Sequence, residues 1–111
     1  MADEEAIRRK RERLTIETHE YFWIVCPELT ARWKEAMLRL PPSVLSDPVN
    51  ELQGLELVTR RASLELGKAH AGGVDGAVPV GDLLDRALAS MEHLREAADT
   101  MTRLLEELLK S

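Results

Sequence analysis

From residue 84 onward, apolar side chains recur every three and four residues without a miss. Leu84, Met91, Ala98 and Leu105 form one column, and Ala87, Leu94, Met101 and Leu108 form the next. This is the a/d pattern of helices packed at a shallow angle, and it predicts one helix over 81–110. The flanking positions widen the stripe. Leu83, Ala97 and Leu104 fall at g, and Leu88 and Leu109 at e, where a two-stranded coiled coil usually carries charge. A face that wide needs at least two neighbouring helices.

Upstream, the same reading gives three more helices. The first spans about 3–25. Its start is polar, broken only by Ile7 and Leu14, and its end is greasy, from Tyr21 to Val25. Pro27 disfavours helical geometry at Cys26, so a break or kink is expected there. A second helix over 28–40 places Leu29, Trp33, Ala36, Met37 and Leu40 on one face, and Pro41-Pro42 ends it. A third over 47–71 opens with Asp47 as N-cap and Pro48 in the first turn. Leu52, Leu55, Ala62, Leu66 and Ala69 mark its buried side. Gly72-Gly73 would terminate it and open a Gly-rich loop over 72–80. At about 1.5 Å per residue the last two helices would be roughly 37 and 45 Å long. The expected fold is all-α: a single domain of 111 residues, an elongated three- to four-helix bundle built on a long antiparallel hairpin.

Composition supports this without adding chemistry. The chain is 44% hydrophobic with four aromatic residues, and its 15 basic and 20 acidic side chains give a net charge of −5. That balance disfavours broad phosphate-backbone binding. Cys26 is the single cysteine, so neither an internal disulfide nor a cysteine-based zinc cluster can form. The acidic start Met-Ala-Asp-Glu-Glu does not read as a signal peptide. The longest apolar run, Tyr21 to Cys26, is too short to span a bilayer. A cytoplasmic protein without membrane association is expected.

Two charged features stand out. Column b of the last helix is acidic throughout, as Asp85, Glu92, Asp99 and Glu106. The first helix carries Arg8, Arg9, Lys10, Arg11 and Arg13 almost in a row. The basic run is the candidate nucleic-acid contact. It lies in a locally neutral context, however, and docking on the acidic column is the stronger expectation.

Candidate chemistry is sparse. There is no H-E-x-x-H, no P-loop lysine after the Gly-rich loop and no Glu-x-x-His tetrad, so neither metal nor cofactor is expected. Arg86 and His93, with six residues between them, resemble the helical Arg-to-His spacing of the HEPN ribonucleases, themselves small helical bundles. Arg13 and His19, with five residues between them, also fall within the four to six that this spacing allows. The resemblance implies a ribonuclease with Arg86 and His93 in its site. Ala87 stands where that family usually has a polar residue after the arginine.

The leading expectation is a non-enzymatic protein–protein interaction module: a homodimer, adaptor, inhibitor or accessory subunit. Its candidate interface residues are Tyr21, Phe22, Trp23, Trp33, Leu83, Leu88, Leu104 and Leu109. Tyr21, Phe22 and Trp23 are consecutive and cannot all face one side of a helix, so at least one should be exposed in a lone chain.

Overall fold

The computed structural model describes residues 2–71 and 78–110. The expected Gly72-Gly73 terminator and most of the Gly-rich loop lie outside the described residues. Helix α1 (Ala2–Glu20) passes through a π-helical turn (Tyr21–Val25) into α2 (Cys26–Arg39). A short 3₁₀ turn (Pro42–Val44) leads to α3 (Ser46–Ala71), and α4 (Val80–Lys110) closes the chain. The protein is an all-α bundle, and the described residues include no strand.

Helix α4 is the centre. Its a and d columns are buried at every position except the terminal Leu108, which is half-buried, and six of these side chains are 0% exposed. The g residue Leu83 is buried, while Leu88, Ala97, Leu104 and Leu109 are half-buried. The two neighbours demanded by this wide face come from one chain. Helix α3 packs along one side of α4, and the α1–α2 rod packs along another. The α3 residues that meet it repeat every seven positions, at Pro48, Leu55, Ala62 and Ala69.

The break expected at Pro27 is instead a change of helix type. In an α-helix the Pro27 ring would collide with the carbonyl four residues back. Here the Cys26 N–H donates to the Tyr21 carbonyl five residues back, so the turn is wider and helical geometry continues through Cys26. The wider turn also absorbs one residue. The inward positions of the rod run Ile7, Leu14, Tyr21, Leu29, Ala36, a spacing of seven throughout except for eight across the π turn. Without the extra residue in that turn, Leu29 would rotate off the core face.

Three ion pairs fix the rod against α4. Lys10 meets Asp85 at 3.0 Å, Glu20 meets Arg95 at 3.3 Å, and Arg32 meets Glu106 at 3.2 Å. The residue offsets are 75, 75 and 74, so α1–α2 runs parallel to α4 and slips by one residue at the π turn. The topology is up-down-up. The 38-residue rod, at about 1.5 Å per residue, spans the full 57 Å of a molecule only 22 × 15 Å in cross-section. Its radius of gyration is 17.0 Å, against about 13 Å for a compact domain of this size.

Local differences from the sequence reading have simple causes. Helix α3 begins at Ser46, because the 3₁₀ turn brings the Leu45 carbonyl to the Val49 N–H at 2.9 Å. Asp47 therefore sits inside the first turn, where its charge suits the helix dipole, and is not the cap. Helix α4 starts at Val80, with the Pro79 carbonyl accepting from Asp82 and Leu83. Met37 is 53% exposed rather than on the buried face, which Leu29 and Ala36 fill.

No polar or charged residue is buried among the described residues, so stability rests on apolar packing along α4. Leu94→Ala is expected to cost about 2–5 kcal/mol in urea unfolding followed by circular dichroism, and Leu94→Asp to abolish the fold. Asp99→Ala, which removes an exposed pair with Arg103, should cost less than about 1 kcal/mol. Equal losses at the two positions would show that the heptad register is wrong.

Candidate functional site

The two partners of α4 hardly touch each other. A groove therefore runs between α1–α2 and α3, with Met101 of α4 at its floor. Its upper half, about 560 Å³, lies between Leu14, Thr18 and Trp23 on one wall and Leu66, Gly67 and His70 on the other. Its lower half, about 430 Å³, lies between Cys26 and Trp33 on one wall and Leu52 and Glu56 on the other. Phe22 lines both halves and joins them.

The groove is apolar for a specific reason. Its polar linings include Thr15, Thr18, Thr30 and Thr59, and each hydroxyl donates to the carbonyl four residues back in its own helix, at 2.6–2.9 Å. Their donors are spent on backbone. The opposite seam, between the rod and α4, has the contrary character: it is laced by the Glu20–Arg95 and Arg32–Glu106 pairs. Charge closes one side of the rod and leaves the other side greasy.

The sequence-derived candidates divide across this geometry. Trp23 is 72% exposed and Phe22 38%, as three consecutive aromatics require, and Trp33 is half-buried in the lower groove. Tyr21 and Leu83 are not surface residues. Tyr21 is 3% exposed and Leu83 4%, because each falls on an inward face of the bundle. Leu88, Leu104 and Leu109 are half-buried edges of the α4 stripe. Cys26 is half-buried in the groove wall. The sequence reading missed the groove itself: it placed Leu52 and Leu66 on the buried side of the third helix, where they are only half-buried, and did not single out Thr59. The signal was present in α3, whose apolar stripe spills past the Pro48–Ala69 column to Leu52 and Leu66 on the same flank.

The basic run of α1 is mostly engaged within the chain. Arg9 pairs with Glu5 at 3.1 Å and Arg8 with the same carboxylate at 3.8 Å. Arg13 pairs with Glu17 at 3.0 Å, and Lys10 crosses to Asp85. Arg11 is exposed. Lys10 is thus where the basic arm meets the acidic column of α4. Further along that column Arg32, and not Lys110, reaches Glu106.

Arg86 and His93 are both exposed, on the c column of α4, and neither lines the groove. Of the second pair at HEPN-like spacing, Arg13 is held by Glu17, and the His19 ring lies 6.2 Å from that of Trp23. Among the described residues no three His, Cys, Asp or Glu side chains cluster to hold a metal. No described helix is long and apolar enough to cross a membrane.

Tyr21 ties the two walls together at mid-groove. Burial raises its phenol above the ordinary value of 10.0, and the neighbouring Cys26 adds to the rise. A side-chain hydrogen bond with Thr59 of α3 acts in the opposite direction.

Comparison with known proteins finds no matching family model, no similar curated protein and no similar solved structure.

A phenol whose folded-state value is raised favours the neutral form in the fold. Its contribution to stability is complete below about pH 10 and is lost as pH rises through the raised value. With one tyrosine in the chain, tyrosinate absorbance reports Tyr21 alone. The titration midpoint should lie above that of free tyrosine in the native protein and return to it in urea. A native midpoint equal to the free one would place Tyr21 in solvent.

Proposed function

We propose that this chain is a non-enzymatic protein–protein interaction module whose working surface is the groove between α1–α2 and α3. The observation that carries this reading is an apolar furrow, running from Leu14 to Trp33 along the rod, that the described residues leave uncovered. Phe22, Trp23 and Trp33 stand along it, and its threonine donors are already satisfied.

Such a furrow suits a helix. It lies between two helices that already flank a third, so a further helical element would complete a four-helix arrangement around it. Large aromatics at the centre of a concave apolar strip are typical anchors of binding energy. The half-buried residues Leu52, Leu66 and Trp33 hold positions that become core positions once covered. Homo-oligomer, adaptor, inhibitor and accessory subunit are all forms this module can take. The charged seam on the other side of the rod serves the chain's own architecture, leaving the groove as the binding face.

Carbene footprinting of the protein in lysate of its source cells, compared with the purified protein at high dilution, tests this directly. Phe22, Trp23 and Trp33 should be protected in lysate and labelled at high dilution, with the exposed Leu57 and Leu64 as internal controls outside the groove. Equal labelling of the three aromatics in both settings would remove the groove as a docking surface.

A further inference from the structure

We infer that the groove is covered by a second copy of this chain, in an antiparallel two-fold arrangement centred at the level of Phe22. This rests on the reading of the groove as a docking surface and names its occupant.

Area is the first argument. The chain exposes 7631 Å², whereas a monomeric protein of its 12.5 kDa mass exposes about 6,200 Å². The surplus of roughly 1,400 Å² exceeds the roughly 800 Å² per partner that a stable interface buries. Much of the surplus comes with the elongated 57 × 22 × 15 Å shape, and the groove is the apolar strip on it that a second copy would cover first.

Position is the second argument. Tyr21 and Phe22 of the rod line the same cavity as Glu56, Thr59 and Arg60, which sets the aromatic run level with the Glu56–Arg60 turn of α3. Phe22 is also where the two halves of the groove meet. A two-fold axis lying across the groove at this level sets each rod antiparallel to its mate and each α3 antiparallel to its mate. Phe22 and Trp23 of both copies then gather around the axis. The upper half of one groove faces the lower half of the other. Two rods and two α3 helices form a four-helix layer, with the α4 helices outside it.

Charge is the third argument, and it selects self-association. Glu56 and Arg60 line the groove, both exposed, with opposite signs four residues apart. Among the described residues neither takes an ion pair within the chain, so both charges are open to a partner. In an antiparallel two-fold contact between α3 helices, Glu56 of each copy meets Arg60 of the other, so the rim is complementary to itself.

Sedimentation equilibrium of the purified protein and two charge variants tests this. The wild type should weigh twice the chain mass, reverting to the monomer on dilution. Glu56→Arg sets two arginines against two arginines across the axis, and Arg60→Glu sets four carboxylates there. Each should weaken dimerisation about tenfold or more. Both positions are exposed, so each variant should keep the far-ultraviolet circular dichroism of the wild type. An equimolar mixture of the two variants should form a heterodimer at least as tight as the wild type, because every contact across the axis is then between opposite charges. A wild type that is monomeric at hundreds of micromolar overturns the pairing. If groove protection in lysate persists in that case, the docking reading survives with a different partner. A dimer that neither variant weakens, or single variants that do not recover on mixing, overturns the antiparallel arrangement.

Discussion

The width of the apolar stripe on α4 governs the rest of the molecule. A 31-residue helix with buried a and d columns and mostly half-buried e and g edges cannot be satisfied by one neighbour. It takes two, and both come from the same chain, one antiparallel through α3 and one parallel through the α1–α2 rod. The two flanking helices gain their stability from α4 and little from each other. A flattened cross-section of 22 × 15 Å follows, and with it an open side. The groove is thus a consequence of the core. A central helix whose apolar face is shared between two neighbours leaves those two facing each other across a gap.

The parallel neighbour imposes a demand on backbone geometry. To lie along α4 for its full length, the rod must stay straight past Pro27, and its inward face must not rotate. The π turn meets both conditions. It opens the space the proline ring needs, and it takes up the eighth residue between Tyr21 and Leu29. The ion-pair offset gives independent evidence of the same residue: 22 positions on the rod, from Lys10 to Arg32, match 21 on α4, from Asp85 to Glu106. Exposed pairs of this kind contribute little energy each. Their value lies in specifying orientation, since an antiparallel rod would set these charges against the wrong partners.

Much of this was legible in the sequence, for identifiable reasons. The a/d columns of α4 needed only local periodicity. So did the deduction that its face was too wide for one neighbour, and that one of Tyr21, Phe22 and Trp23 must face outward. Proline 27 was legible as a disturbance but not as a continuation. Whether a helix breaks or widens at proline depends on what holds the two halves in line, and that is a tertiary matter supplied here by α4. The basic run was read as a block of charge. Its neutralisation by Glu5, Glu17 and Asp85 depends partly on i,i+4 spacing, visible in sequence, and partly on a contact 75 residues away, which is not. The groove was illegible because it is defined by an absence of contact between two helices. Periodicity shows which face of a helix is apolar, but not whether that face is covered.

The division of labour between the two sides of the rod follows from these constraints. On the α4 side, charged residues from Lys10 to Arg32 lie at the margins of an apolar seam, remain near water and set direction and register. On the α3 side there is no comparable ladder among the described residues, and the threonines have turned their donors back to the helix. A surface with few free donors and several large apolar side chains gains little specificity from hydrogen bonding, and its affinity must come from area removed from water. Such a surface recognises shape. The element that would fit it is long, apolar along one edge and straight over several turns, which is the description of a helix. The chain supplies that description twice over, in its own rod and in α3. The physical requirement on any occupant is therefore the same one that α4 already imposes inside the bundle.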